Sequence, residues 1–453
     1  MMPLTFGEVE RWTGGTALQC PAERPVTGLT IDSREVGPGT LFIALPGTKT
    51  DGHAFVEQVW KAGGVALVKD DFPLQSGPQI RVNSPLKAMG QLLRSYIEAH
   101  QVTVVGVTGS VGKTSVKELS AAVLTARYQT VWSIGNYNTN IGLPLSFFRG
   151  AAGTTHFVAE MGMSAPGEIL ELTQIAPPQV AVISTIGPSH LERLGSMQAI
   201  QRAKGEILEG LKPDGLAVLN HDNHWVRELG EQTNHRVQWF GTFEGAAARV
   251  VSAAVAHDRT HIELVVHGQP VTVYLPWLGV HQAHNVAASL LVGVELGVSL
   301  AEARDQLEAI DAGRSRIRVI EAGQLTILED VYNASPLSTE AALDVLASRA
   351  GRRVAVIGDM LELGQQEVPG HQQVGRYAKS RADMVLCVGE RARHTYEAAR
   401  AEGLAAEWAA TREAALGWLT DRLAPGDVVL LKASRGMQFE WLSRQLAEWG
   451  AAQ

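Results

Sequence analysis

The chain has 453 residues, too many for one hydrophobic core and enough for about three domains of ordinary size. Hydrophobic residues make up 45% and charged residues 19%, a balance that excludes wholesale disorder. Lys and Arg number 39 against 47 Asp and Glu, and the net charge of −8, with no dense basic run, speaks against a nucleic-acid binder.

Residues 1–84 are punctuated by turn pairs such as Pro38-Gly39, Pro46-Gly47, Asp51-Gly52 and Gly63-Gly64. Short strands are predicted at LFIAL from Leu41 and VALVK from Val65, with a helix between them. Pro85 suits the first position of a following helix and marks a boundary. Residues 85–310 carry continuous apolar runs of strand length at Val102, Phe157, Val180 and Leu216, separated by helical segments. That alternation predicts a parallel βαβ sheet. Between Val237 and Pro276 the pattern turns to near-alternation, which predicts antiparallel strands added to that sheet. Residues 311–453 repeat the strand-then-helix rhythm from Leu325, Val354, Met384 and Asp427, a second doubly wound unit. Such sheets bind ligands at the carboxyl ends of their strands, and the motifs fall there.

The two cysteines, Cys20 and Cys387, exclude a disulfide framework and a Cys-rich zinc site, and the 14 His form no H-E-x-x-H. MMPLTFGEVERW at the start has no basic stretch followed by a long apolar run, and no apolar segment reaches membrane length. The expectation is a soluble, cytoplasmic protein in a reducing compartment, monomeric, with no membrane insertion.

The strongest motif is Thr108-Gly109-Ser110-Val111-Gly112-Lys113-Thr114, between an apolar strand and a helix. Glycines let backbone N–H groups curl around phosphate oxygens, and the helix N-terminus adds partial positive charge. Lys113 would reach the outer phosphates and Thr114 would bind Mg²⁺. The spacing is G-x-T-G-x-x-G-K-T, with Val107 where the generic phosphate loop has its first glycine. Glu160 ends a strand, where a carboxylate suits Mg²⁺ or simply caps. His190, Lys204 and Arg314 taken singly read as a structural histidine, a solvated helix lysine and a surface ion pair. Asn285 reads as the N-cap of a helix. Asp330 and Lys432 end strands of the third region, and Ser434-Arg435 beside Lys432 could hold a carboxylate.

Taken together, these motifs resemble the Mur ligase family, and within it most closely the MurF type, from about residue 27 to 440. The carriers are LTIDSREVGPGTLFIALPGTKTDGHAFV from Leu29, GVTGSVGKTSVKEL, GNYNTNIGLP, AEMGMSAPGEI, HLERLGS, AKGEI, GVHQAHNVAAS, the D-x-Y-N-A-x-P-x-S of Asp330 to Ser338, VIGDMLELG and KASRGM. The Asp-Asn-Pro-Arg motif of the related MurE type is absent. The resemblance implies an α/β protein of three domains: a small mixed uridine-binding domain (1–84), a central ATPase domain (85–310) and a Rossmann-like C-terminal domain (311–453) that takes the incoming D-Ala-D-Ala. It implies an ATP-dependent ligase that joins D-alanyl-D-alanine to UDP-MurNAc-tripeptide through an acyl phosphate. It further implies that Glu160, His190 and Lys204 join Thr114 at two Mg²⁺ ions, with Lys204 carbamylated. Asn285, Arg314 and Asp330 would contact ATP, Arg314 at the phosphates. Ser33, Arg34 and Asn138 would meet the UDP-sugar, and Tyr332, Asn333, Lys432, Ser434 and Arg435 the dipeptide. Asp359 and Glu362, near the third-domain cleft, could orient the incoming amine. Thr139, Gln282, Ser335 and Ala433 depart from the family pattern. The alternatives are a MurE-type ligase, a folate polyglutamate ligase, a nucleic-acid P-loop motor, or a switch that binds ATP without ligating. The switch would have lost Lys113, Glu160 or Lys204, all of which are present.

Overall fold

The computed structural model describes residues 3–47, 50–73 and 77–453. The Thr48-Lys49 step of the N-terminal motif therefore lies outside the described residues. Three sheets follow one another along the chain, as an α/β protein of this rhythm should form.

The first sheet has five strands in the order Thr16–Leu18, Gln79–Val82, Val65–Lys69, Thr40–Ile43, Gly28–Thr30, with only the first pair antiparallel. Three of these strands have no counterpart in the sequence reading. They are three or four residues long, too short to carry a period. Helix Pro85–Ala99 starts as predicted, with Pro85 in its first turn and the Ser84 hydroxyl accepting from the Lys87 N–H. Its Ala88, Met89, Leu92, Leu93, Tyr96 and Ile97 are buried at helical spacing. They join the first sheet to one face of the central sheet in a single core, where Tyr96 meets Phe147 and Phe148 edge-on at 5.5 and 5.7 Å.

In the central sheet, Thr130–Trp132, His156–Glu160, Thr103–Thr108, Val180–Ile183, Leu216–Asn220, Arg236–Gly241 and Ala248–Ala256 run parallel in that spatial order. Arg259–Val266 and Gln269–Leu275 complete it as an antiparallel meander. The antiparallel part thus begins later than its alternation suggested, because Arg236–Gly241 extends the parallel ladder. Strand order reverses between Thr103–Thr108 and Val180–Ile183, so the crevice at their carboxyl ends is the natural ligand position.

The third sheet sets Leu325–Asp330, Val428–Lys432, Arg353–Gly358, Met384–Val388 and Ala405–Ala409 parallel, with Arg318–Ala322 an antiparallel edge that the sequence reading lacked. The pairing of Asp330 with Lys432 brings both side chains to one sheet end. Two departures from the family pattern are explained here. Ser335 caps helix Pro336–Ala347 by accepting from the Ser338 N–H, as Asn would. Ala433 is buried over Gly358, where a second Cβ would lie 2.7 Å away, and it lines neither cavity described below.

His156, outside the ligand crevice, stacks on Tyr128 with ring centroids 3.9 Å apart. Burial lowers its pKa from 6.5 to about 4. The unfolded chain therefore binds a proton in that window which the folded chain refuses. The stability that the neutral imidazole supports is whole above pH 6.5 and is lost as pH falls toward 4. His156→Gln is expected to flatten this part of an acid-unfolding curve, and an unchanged slope would remove His156 from the account.

Candidate active site

The carboxyl end of Thr103–Thr108 runs through four residues into helix Lys113–Leu124. Gly109 has φ +147° and Gly112 φ +90°, and a Cβ on Gly109 would collide with the Ser184 hydroxyl. Only glycine fits both requirements, so the loop's shape is written into its sequence. The loop is tied to the neighbouring strand end: the Ser110 N–H donates to the Thr185 carbonyl (2.7 Å), and the Ser184 hydroxyl to the Val111 carbonyl (2.6 Å).

Lys113 and Lys204 converge on one acceptor. Their Nζ atoms donate to the Gly109 carbonyl at 2.7 and 3.1 Å. Lys204, on helix Met197–Glu209, is 2% exposed, and burial first, then the Lys113 charge, holds its pKa well below the usual lysine range. Burial also lowers Lys113, against the attraction of Glu160. The helix lysine that reads locally as solvated is thus an interior amine.

Glu160 ends strand His156–Glu160 almost fully buried. One of its oxygens accepts from the Thr114 hydroxyl (2.9 Å) and the other from the Asn138 amide (3.0 Å). The Thr114 hydroxyl and the Glu160 carboxylate are both oxygen donors, the ligand type that Mg²⁺ prefers, so the chemistry of this pair fits that ion. No cluster of three or more His, Cys, Asp or Glu among the described residues could hold a metal. A divalent ion here would take its remaining ligands from phosphate and water, as Mg²⁺ commonly does.

Asn285 lies inside helix Gln282–Glu295, whose N-cap is His281, so Asn285 is not the cap that its position in the sequence suggested. Its amide instead donates to Gln282 (2.8 Å), one of the family departures. Burial takes the pKa of His281 down to about 4. Across the crevice, Asp330 and Lys432 form an ion pair at 2.8 Å, with Lys432 1% exposed and also donating to the Asn333 carbonyl (2.5 Å). His190, in the left-handed region at φ +54°, faces Glu362 of the third sheet's loops at 2.6 Å. Burial lowers the pKa of His190, although Glu362 opposes the shift.

One cavity of about 560 Å³ joins these groups. Ser110 to Thr114, Asn138, Thr139, Glu160, His190 and Asn285 line it from the central sheet, and Asp330, Tyr332, Asn333, Glu362 and Lys432 from the third. Thr108, Gly109 and Lys204 do not line it. A second cavity of about 220 Å³ adjoins it, lined by Ser434 and Arg435 and sharing His190, Tyr332, Asn333 and Glu362 with the first.

Arg314, Ser33 and Arg34 also lie outside both cavities, for physical reasons. Arg314 is drawn onto Glu118, with its Nε 2.7 Å from the carboxylate, and lies over Trp132. Ser33 and Arg34 sit on a short 3₁₀ turn of the first sheet, where Arg34 is paired with Asp32 and exposed. Arg316, which the sequence reading passed over, is instead the arginine that the fold brings to the cavity. It touches the Thr114 hydroxyl, stacks 4.0 Å from the Tyr332 ring centre and lines the large cavity. Both arginines occur in AGRSR, and only the fold separates them.

Three family models match the chain: "Mur ligase family, catalytic domain" over residues 25–97, "Mur ligase middle domain" over 107–293, and "Mur ligase, glutamate ligase domain" over 315–435. The UDP-N-acetylmuramoyl-tripeptide--D-alanyl-D-alanine ligase of Bacillus subtilis is 33% identical over 99% of both chains. A crystal structure of MurF from Acinetobacter baumannii superposes with a TM-score of 0.89 over 99% of both chains at 29% identity. MurF ligase from Thermotoga maritima in complex with ADP gives 0.83 over 94% of this chain and 99% of that one, at 29% identity. With a glycine loop, a buried lysine pair and a facing ion pair around one crevice, and with relatives matched from end to end, the chain belongs to the Mur ligase family.

Proposed function

We propose that the chain is a MurF-type ligase that uses ATP to join D-Ala-D-Ala to UDP-MurNAc-tripeptide, giving the pentapeptide, ADP and phosphate. The observation that carries this reading is the single 560 Å³ cavity in which the phosphate loop and Glu160 face Asp330 and Lys432.

A carboxylate is a poor electrophile, so the tripeptide carboxylate first attacks the γ-phosphorus of ATP. The P–O bond to the β-phosphate breaks and ADP leaves. The neutral amine of the dipeptide then attacks the acyl carbon, the C–O bond to phosphate breaks, and one proton is released. Two anions meet in the first step, and phosphoryl transfer depends mainly on positioning and charge. Lys113 and Arg316 supply cationic donors, and the loop N–H groups cradle the phosphates. Bound Mg²⁺ would add charge neutralisation, held by Thr114 and Glu160, with His190 and a carbamylated Lys204 serving a second ion. Lys204 suits that modification because it is buried with no carboxylate in ion-pair reach among the described residues. A ¹³C carbamate signal that vanishes in Lys204→Arg tests it. Asn285 and Asp330, which line the same cavity, would contact the nucleotide. Tyr332, Asn333, Lys432, Ser434 and Arg435 line the side open to the dipeptide, and closing the units over the cleft keeps water from the acyl phosphate. The division at 84/85 and 310/311 belongs to the same reading, with Ser33, Arg34 and Asn138 toward the UDP-sugar. Arg314 acts as an anchor between units through Glu118, and Arg316 as the phosphate-facing arginine.

Phosphate release from ATP and Mg²⁺ should require UDP-MurNAc-tripeptide and D-Ala-D-Ala together and yield the pentapeptide by mass. Release driven by another acid or amine would move the chain elsewhere in the family, and no release with ATP bound would leave a switch. Arg316→Ala is expected to lower kcat by about 10²–10³-fold, whereas Arg314→Ala should cost less than about tenfold, since its partner is the Glu118 carboxylate. Equal losses would refute the division of labour between them.

A further inference from the structure

Asp359 and Glu362 lie three residues apart, but the fold gives them opposite surroundings. Asp359 is buried and accepts from the Ala392 N–H (2.8 Å). It lines neither cavity and holds a helix in place. Glu362 lines both cavities, and it is the only carboxylate on the smaller one among the described residues. Its Oε2 faces His190, and its Oε1 has no partner among the described residues.

The loop that presents Glu362 is held from several sides. The Leu361 N–H donates to Ser434 (2.9 Å), the Met360 N–H to His371 (3.1 Å), and the Glu192 N–H to the Glu362 carbonyl (3.3 Å). Glu362 itself sits at φ +63°, a conformation that non-glycine residues adopt at some cost and keep where surroundings impose it. Arg435, exposed on the smaller cavity, has no carboxylate in ion-pair reach among the described residues. The smaller cavity thus offers one anion at its junction with the large cavity and one free guanidinium, the pattern that fits a zwitterion.

Resting on the ligase reading above, we propose that Glu362 is the residue that binds the ammonium of the incoming dipeptide and holds its nitrogen at the junction, facing the acyl carbon, while Arg435 takes the carboxylate. Glu362 so decides that the second substrate carries a free amine. A carboxylate–ammonium contact is charge-assisted, and its loss falls on the affinity for that substrate alone. The rival role for the same carboxylate is to orient His190 toward a metal.

The two roles part in steady-state kinetics. With UDP-MurNAc-tripeptide and ATP saturating, Glu362→Gln is expected to raise KM for D-Ala-D-Ala about 10- to 100-fold, with KM for ATP and the Mg²⁺ requirement changed less than about threefold. Glu362→Asp should recover part of the loss. The inhibitor (R)-lactoyl-D-alanine, which carries a hydroxyl in place of the ammonium, should bind the wild type far more weakly than the dipeptide and bind both variants alike, so that Glu362→Gln loses the preference for the amine. An unchanged KM for the dipeptide, a retained preference, or a shift confined to Mg²⁺ would overturn the assignment. A wild type that does not use D-Ala-D-Ala at all would instead sink the ligase reading on which it rests.

Discussion

Lys113→Ala is expected to lower kcat by roughly 10³-fold or more while leaving the fold intact. Lys113 follows the two loop residues whose φ angles only glycine tolerates, and its ammonium is desolvated by burial. A cation in so dry a place acts on phosphate oxygens through far less screening than one in water. Ala also removes one of the two amines on the Gly109 carbonyl, leaving Lys204 as its only lysine partner. Rates from coupled ADP release, with circular dichroism to check folding, decide the matter. A loss smaller than tenfold in a folded variant would mean that the loop does not hold the reacting phosphate.

Lys432→Met should have the largest effect on stability. Lys432 is 1% exposed and Asp330 9%, and they meet at 2.8 Å on adjacent strand ends. Removing one member of a buried pair strands the other charge, at about 3–5 kcal/mol. The Asn333 carbonyl loses its donor as well. For a unit of this size the change is about 10 °C in Tm. The double variant Asp330→Asn with Lys432→Met should recover most of that loss without recovering activity, because the charge is neutralised but the site is not rebuilt. Calorimetry on the single and double variants gives the comparison, and additive losses would contradict a coupled pair.

Much of the fold was legible because parallel strands buried on both faces leave continuous apolar runs, as at Val65, Leu216 and Val354. Thr16–Leu18 and Gly28–Thr30 were not, since three residues hold no period. Arg318–Ala322 hid for another reason: an edge strand exposed on much of its surface lacks the apolar signature. In the site, the Gly109–Thr114 loop announces itself because glycine, lysine and threonine are each demanded by the local backbone or by phosphate. The split between Arg314 and Arg316 is set by Glu118, almost two hundred residues upstream, and no local pattern can contain it. The same holds for Glu362, whose meaning depends on which cavities meet beside it.

Helix Pro85–Ala99 has one further consequence, for how the chain folds. Its apolar face completes two sheets at once, while the third sheet keeps cores almost wholly its own. The first 84 residues are therefore a unit by topology without being one by cooperativity. Severed after Ser84, they would expose the apolar side of the first sheet and fail to stand alone, and a fragment running to about residue 310 would fold. Heating the whole chain should then give two transitions instead of three, the first and central sheets melting together. The first and central sheets would travel as one rigid lever, leaving the junction near Asp311 as the place where the molecule bends.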